Sequence, residues 1–184
     1  PADTAPLSAA VDWLLDREIR TGGDWMRSAS PVAPSGWCFQ YANRFYPDVD
    51  DTAMVLIALA TWRESAASGR DADPDAARRL DRVQAVIGRA VPWLESMQSS
   101  DGGWGAFDRD NNLELLCKVP FADHNAMIDP SSPDLAGRVL EAFGKLGLRP
   151  GRPSVDRGVR YLRATQEADG SWFGRWGVNY VYGT

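Results

Sequence analysis

The sequence predicts an all-α fold in which paired helices form a barrel or solenoid. Apolar residues recur at helical spacing in several segments, and no segment alternates apolar and polar residues convincingly as a half-buried strand would. The predicted helices span 8–20, 50–62, 78–97, 134–146 and 154–164. Stretches rich in glycine and proline separate them and are predicted as loops, at 21–36, 99–112, 118–133 and 147–153.

Each amphipathic helix is predicted from its own apolar positions. The helix at 8–20 has apolar residues at positions 10, 11, 14, 15 and 19. The helix at 78–97 repeats the pattern from Leu80 to Leu94. The helices at 134–146 and 154–164 do the same, and each opens directly after a proline, a residue common at helix starts.

The helix at 50–62 is different because it is apolar on nearly every face. The run from Met54 to Leu59 contains no polar residue. A helix that is hydrophobic all round is expected in the interior of a layered structure. Its acidic N-terminus, with Asp48, Asp50 and Asp51, is therefore predicted to open toward a cavity or channel.

A repeated motif organises the chain. The segments 93–104 and 161–172 align without gaps, 68 residues apart, and each has an aromatic-Leu pair, then Gln, then Asp-Gly-x-Trp. A degenerate copy near 13–25 has Glu18 in place of the glutamine. Such spacing usually indicates stacked helical hairpins. Because Gln can satisfy carbonyls at a helix end and Trp can pack beside it, we expect the repeats to stabilise the fold rather than catalyse.

Composition excludes several classes of function. The chain has 184 residues and a net charge of −5, and its basic residues are dispersed, which argues against a nucleic-acid partner. Cys38 and Cys117 lie in apolar surroundings and predict free thiols in a reducing compartment, and with a single histidine they lack zinc-ligand spacing. There is no signal peptide, and no apolar run approaches the ~20 residues that span a bilayer.

The ends of the chain suggest a piece of a larger protein. The sequence starts at Pro1 without a methionine and stops at Thr184 within a segment rich in aromatic residues and glycine. We interpret it as a fragment of something longer.

The carboxylates Asp48, Asp50 and Asp51 allow two interpretations. Crowded carboxylates repel one another, so at least one should keep its proton near neutral pH if the site is buried, which would make it a Brønsted acid. Alternatively, the stretch after Pro47 is a helix N-terminus, where aspartate is a preferred cap and acidic residues suit the helix dipole. Both interpretations can hold together.

The acid motif and the repeats resemble those of the squalene-hopene cyclase family of bacterial triterpene cyclases. The resemblance rests on Asp-Val-Asp-Asp-Thr-Ala at 48–53, on the Gln-x-x-x-Gly-x-Trp repeats, and on the segments 36–40 and 169–184. It implies that residues 1–184 are part of the catalytic α/α-barrel domain of a longer, two-domain cyclase. The acid motif alone is shared with class II diterpene cyclases, whereas the several repeats favour triterpenes.

The resemblance implies a reaction and its acid. The family cyclises squalene to pentacyclic hopene or hopanol without metal or cofactor, starting with protonation of an alkene and ending by deprotonation or water capture. Asp50 matches the proton donor, and Asp48 and Asp51 match its flanking carboxylates. Arg138 stands where the family often has His, which suits a charge partner but not a proton relay, because guanidinium does not deprotonate. Tyr182 matches a tyrosine that holds water for reprotonating the donor.

Further positions match the walls of the family's cavity, where aromatic faces stabilise carbocations. These are Phe39, Phe107, Phe121 and Trp176, together with the active-site carboxylate Asp134. Phe107 stands where Tyr is frequent, so a role that needs its hydroxyl is lost.

Judged without the resemblance, these residues have plainer interpretations. Asp134 would cap its helix, Arg138 would lie on a solvated face, and the phenylalanines would be core. His124 lies in a loop similar to the family's substrate entrance, where a structural or channel-wall role is favoured over catalysis.

The implied partners are squalene and a membrane surface. The family is monotopic at the cytoplasmic face of the cell membrane and draws its apolar substrate from the bilayer, and a homodimer is compatible with it. One alternative is a related cyclase acting on tetraprenyl-curcumene or on a diterpenyl diphosphate, but the sequence shows no basic cluster for a diphosphate. Another is a non-catalytic α/α-barrel binding module similar to protein-prenyltransferase β-subunits, which leaves the three acids unexplained.

Overall fold

The fold is described by a computed structural model covering residues 5–29, 31–40, 43–67, 75–113, 127–175 and 177–184. In this part of the chain the regular structure is helical, and extended pairing is limited to isolated bridges. The helices are α1 (Ala5–Leu15), α2 (Val49–Ala67), α3 (Ala76–Ser96), α4 (Pro133–Lys145), α5 (Pro153–Thr165) and α6 (Asn179–Gly183), with a short 3-10 helix at Asp24–Arg27. The all-α class is confirmed, and closure into a barrel stays a prediction.

The predicted helices differ from the observed ones mainly at the first. The helices predicted at 50–62, 78–97, 134–146 and 154–164 appear as α2 to α5, and α2 continues to Ala67. The first helix ends at Leu15 instead of 20, because Ile19 leaves the helix and its N–H donates to the Gly36 carbonyl at 2.8 Å. The 3-10 helix and α6 were not predicted. Much of the predicted loop 118–133 lies outside the described residues.

The core forms where α2 packs against α3 and α4. Helix α1 contacts α2 and α3, and α4 also packs against α5. On α2, Val49, Leu56 and Leu59 are completely buried, as the apolar sequence predicts, whereas Met54 is 47% exposed. None of the helices in the described ranges is long and apolar enough to cross a membrane.

The two aligned repeats close with the same hydrogen bond. The indole N–H of Trp104 donates to the Leu94 carbonyl at 2.8 Å, and that of Trp172 donates to the Leu162 carbonyl at 2.7 Å. In each repeat the acceptor belongs to the leucine of the aromatic-Leu pair. The tryptophan therefore ties the chain after the turn back to the helix before it.

The glutamines of these repeats hold the turn itself. The side-chain amides of Gln98 and Gln166 donate to the carbonyls of Gly102 and Gly170, at 2.8 and 2.9 Å. Both glycines have φ near +90°, a conformation that other residues rarely adopt. Gln98 also donates to the Ser154 carbonyl at 2.9 Å, so it joins the end of α3 to the start of α5. These contacts support the expected stabilising role.

The degenerate copy ends at a different tryptophan from the one expected. The N–H of Trp37, not that of Trp25, donates to the Leu14 carbonyl, at 2.8 Å. Glu18, in place of the glutamine, accepts two hydrogen bonds from Arg89 of α3 at 2.9 and 2.6 Å. Trp25 is buried and packs edge-on against Trp93, with ring centroids 5.9 Å apart. The expected repeat near 13–25 thus reaches to Trp37, with additional loop residues inside it.

Candidate active site

The first turn of α2, which carries the acidic triad, is fixed by two loops. The backbone N–H of Asp48 donates to the Trp37 carbonyl at 2.7 Å, and that of Val49 donates to the Ala106 carbonyl at 2.8 Å. The Thr52 hydroxyl accepts a hydrogen bond from the Trp37 N–H at 3.0 Å. The carboxylates therefore project from a backbone that is anchored on two sides.

Asp48 is the cap of α2. Its Oδ1 accepts hydrogen bonds from the backbone N–H groups of Asp50 and Asp51, at 2.7 and 3.2 Å. Its side chain is buried, and this burial raises the pKa of Asp48 to about 7, against the opposing effect of the two N–H donors. The capping interpretation therefore applies to Asp48. The carboxylate of Asp50 contacts Arg138 instead, and Asp51 lines a cavity.

Asp50 is paired with Arg138 of α4. The guanidinium Nη1 lies 3.1 Å from Oδ1 and 3.2 Å from Oδ2 of Asp50. Burial is the largest influence on the pKa of Asp50 and raises it, Arg138 lowers it, and the charge of Asp134 raises it, with a net increase. The plainer interpretation of Arg138 as part of a solvated face is wrong, because its charge is used in this pair.

Tyr182 extends the pair on its other side. Arg138 Nη2 donates to the Tyr182 hydroxyl at 3.3 Å, and the guanidinium carbon lies 5.9 Å from the centre of the tyrosine ring. Tyr182 belongs to α6, which contacts α4. The structure thus brings together Asp50, Arg138 and Tyr182, three of the residues that the resemblance assigns to catalysis.

Asp51 and Asp134 contribute buried carboxylate oxygens. Among the residues that the structure describes, Oδ2 of Asp51 and both oxygens of Asp134 have no hydrogen-bond partner. Burial and the charge of Asp50 raise the pKa of Asp51. Asp134 does not cap α4, whose N-cap residue is Ser132. An ionised carboxylate without hydrogen bonds is costly to bury, so the surroundings of Asp51 favour its protonated form.

The predicted aromatic wall is described only in part. Phe39 is 77% exposed and lines a cavity of about 630 Å³ that Asp51 also lines. Phe107 is 37% exposed and does not line that cavity. Phe121 and Trp176 lie outside the described residues, as do His124 and Cys117.

The cavity beside Asp51 carries mixed charge. Three arginines line it: Arg17 and Arg20 come from the segment that follows α1, and Arg44 comes from the loop before α2. Its other charged lining residues are Asp16, Glu18 and Asp51, which offset the arginines. Cys38 also lines it as a free thiol whose pKa is raised by burial. The cavity therefore lacks the excess of positive charge that a diphosphate group requires.

Sequence reasoning missed Asp129, which fixes a loop that contacts the start of α2. Its carboxylate accepts hydrogen bonds from the backbone N–H groups of Ala106, Phe107 and Asp108, at 3.0, 2.6 and 2.8 Å. This holds the loop whose Ala106 carbonyl binds the start of α2. A lone aspartate before Pro130 gives no sequence signal of such a role.

The fold and the site define an all-α domain that presents a half-buried carboxyl group paired with arginine, the type of group that acid-base catalysis uses. The sequence-family model that describes the squalene-hopene cyclase C-terminal domain matches residues 1–184. The chain therefore belongs to the squalene-hopene cyclase C-terminal domain family.

Curated relatives support this assignment. Over 184 residues, the whole chain, it is 46% identical to the squalene-hopene cyclase of Alicyclobacillus acidocaldarius, and it covers 27% of that protein. It is 43% identical to the enzyme of the same name from Zymomonas mobilis, over 99% of the chain and 26% of that protein. A dammaradiene synthase from Dryopteris crassirhizoma is 41% identical over 100% of the chain and 26% of its own length. The chain spans about a quarter of the length of these relatives.

Proposed function

We propose that this chain is the acid-bearing part of a triterpene cyclase that uses Asp50 to protonate a terminal alkene of squalene. The observation that carries the proposal is the pairing of Asp50 with Arg138. Asp51 and Asp134 add further carboxylate oxygens that are buried without a hydrogen-bond partner in the described ranges. The names of relatives such as the squalene-hopene cyclases of two bacteria support the substrate class.

The initiating step needs an acid that is strong yet still protonated. Protonating the terminal alkene carbon yields a tertiary carbocation and leaves Asp50 as a carboxylate. Burial and the charge of Asp134 favour the protonated form of Asp50 before the reaction, because both raise its pKa. Arg138, 3.1 Å away, stabilises the carboxylate that remains after transfer. Burial and Asp134 thus favour the protonated form of Asp50, whereas Arg138 favours its ionised form.

The neighbours of Asp50 have separate tasks in this mechanism. Asp48 fixes the first turn of α2 through its two backbone hydrogen bonds, so Asp50 keeps its orientation. Tyr182 holds the far side of Arg138 and provides a hydroxyl where water can bind. Arg138 itself acts as a fixed charge and not as a proton carrier.

A carbocation also needs electron-rich walls and protection from water. Phe39 is proposed as one such wall residue, and it lines the same cavity as Asp51. Phe107, Phe121 and Trp176 are proposed as further wall residues from the resemblance. An aromatic face contributes roughly 0.5–2 kcal/mol or more to a cation.

The finer assignments belong to the same proposal. The product is a pentacyclic hopene or hopanol, formed when the last cation loses a proton or captures water. The complete protein is a two-domain enzyme at the cytoplasmic face of the cell membrane, and this chain is part of its α/α-barrel domain. A diterpenyl diphosphate substrate is disfavoured because acids offset the arginines in the cavity beside Asp51.

One substitution tests the acid assignment. In the full-length protein, Asp50→Asn should abolish product from squalene, measured by gas chromatography, while circular dichroism shows unchanged helix content. Asp81→Asn is the matched control, because Asp81 is an exposed aspartate on α3. Product formation by the Asp50 variant at the rate of the control would overturn the assignment.

A further inference from the structure

Tyr182 is not held in place by burial in the core. It is 39% exposed in the described part of the chain and belongs to the five-residue helix α6. Arg138, which donates to its hydroxyl, has a side chain that is 33% exposed. Because a guanidinium group is planar, a fixed Nη2 also fixes the direction in which Nη1 approaches Asp50. The geometry of the acid pair therefore depends on what holds Tyr182.

Thr184 closes the short loop that carries Tyr182. Its hydroxyl accepts a hydrogen bond from the Trp172 backbone N–H at 2.9 Å and donates to the Trp172 carbonyl at 3.4 Å. A threonine hydroxyl can do both, because it has one proton and two lone pairs. One side chain thus joins the two ends of the segment 172–184.

Two glycines allow this loop to close tightly. A Cβ atom at Gly183 would lie 2.4 Å from the backbone nitrogen of Gly174 and 2.5 Å from the carbonyl oxygen of Trp172. A Cβ atom at Gly174 would lie 2.7 Å from the carbonyl oxygen of Asn179. These neighbours are backbone atoms, which cannot turn aside as a flexible side chain can, so only glycine fits at either position. The close approach keeps the Thr184 hydroxyl beside Trp172.

Trp172 connects this loop to the helices that carry the acid site. It is the tryptophan of the last repeat, and its indole N–H donates to the Leu162 carbonyl of α5 at 2.7 Å. Helix α5 packs against α4, which carries Arg138. The side chain of Trp172 is therefore bound to α5, while its backbone is bound to the residue that follows α6. The repeat thus fixes the position of α6 relative to α4.

We propose that Thr184 is a positioning residue, which holds Tyr182 where its hydroxyl meets Nη2 of Arg138. Through this contact Thr184 keeps Nη1 of Arg138 on the carboxylate of Asp50. The last repeat then serves the acid site as well as the stability of the fold. This inference rests on the proposed function of Asp50.

The single-turnover rate of the full-length protein tests this role. With enzyme in excess over squalene, each Asp50 reacts once, and the product is measured by gas chromatography. Thr184→Val removes the hydroxyl and should lower this rate about fivefold, the fold-change that corresponds to one lost hydrogen bond. Thr184→Ser keeps the hydroxyl and should retain the rate of the unmodified protein. Thr61→Val is the matched control, because Thr61 is an exposed threonine of α2 whose hydroxyl donates to the Ile57 carbonyl at 2.9 Å.

A double-mutant cycle separates positioning from a general effect on the fold. Tyr182→Phe removes the hydroxyl through which Thr184 acts, and it should lower the rate at least as far as Thr184→Val does. In that background Thr184→Val should lower the rate no further. Circular dichroism should show equal helix content in all variants, and Thr184→Ala replaces Thr184→Val in the cycle if the valine variant loses helix.

The outcomes separate the positioning role from the proposed function. A rate for Thr184→Val equal to that of Thr61→Val overturns the positioning role and leaves the acid assignment intact. An equal fall with and without the Tyr182 hydroxyl also overturns it, because the effect would then not pass through Tyr182. A fall in Thr184→Ser as large as that in Thr184→Val overturns it too, since the hydroxyl would not be the cause. Failure of the unmodified protein to convert squalene would instead refute the proposed function.

Discussion

Replacing Gln98 with leucine is expected to loosen the start of α5. Gln98 is 1% exposed and donates to the carbonyls of Gly102 and Ser154. Its Oε1 also accepts hydrogen bonds from the Arg157 guanidinium, from Nε at 3.0 Å and from Nη2. Leucine keeps the bulk of the side chain but leaves two carbonyls and a guanidinium without this partner. At about 1 kcal/mol for each lost interaction, the local cost is about 3 kcal/mol.

Hydrogen exchange can measure this local cost. Mass spectrometry of the full-length protein should show amides in the first turns of α5 exchanging roughly 100-fold faster in Gln98→Leu than in the unmodified protein. Gln166→Leu is the matched control, because Gln166 has the same place in its repeat but is exposed. The free energy of opening the turn that Gln166 holds should change by at most about 1 kcal/mol. Equal effects of the two substitutions on their own repeats would refute the reasoning from burial.

Three further predictions concern the acid site and the degenerate repeat. Arg138→Gln should raise the pKa of Asp50, because the substitution removes the counter-charge of this carboxylate. The rate of a single turnover should therefore fall, and the alkaline limb of its pH profile should move to higher pH, whereas Arg138→Lys should retain part of the rate. An unchanged pH profile would contradict the pairing. The pKa of Asp48 rises from 3.8 in the unfolded chain to about 7 in the folded one, so between these pH values the folded state binds one proton more than the unfolded state. As the pH rises from 3.8 to 7, the free energy of unfolding of the unmodified protein should therefore fall relative to that of Asp48→Asn. A parallel pH dependence of the two proteins would argue against the raised pKa. Trp37→Phe should lower the free energy of unfolding by about 1 kcal/mol, because the Leu14 carbonyl loses its indole donor, and an unchanged urea midpoint would show that this bond contributes nothing.

The helices could be predicted because their apolar positions follow the helical period. The sequence could not reveal where α1 ends, because Ile19 continues the apolar period although its backbone pairs with Gly36. The full length of the degenerate repeat was hidden for a related reason. A search at fixed spacing selects Trp25, whereas a loop within the repeat brings Trp37 to the Leu14 carbonyl.

The acid site was predictable from its local motif and from the family resemblance. Local pattern alone suggested a cap and an acid, and the structure assigns the cap to Asp48. The pairing of Asp50 with Arg138 joins residues 88 positions apart, so no local pattern could reveal it. The support from Asp129 was missed because it acts through backbone N–H groups, which every sequence contains.

The central claim is that an acid of this chain starts the cyclisation by protonating an alkene. The most direct test is to convert squalene with the full-length enzyme in deuterium oxide and to analyse the product by mass spectrometry and NMR. The predicted product is a cyclic triterpene with one deuterium at the carbon that was the terminal alkene position, because the carboxyl proton of Asp50 exchanges with solvent. A cyclic product without deuterium at that carbon would contradict the claim.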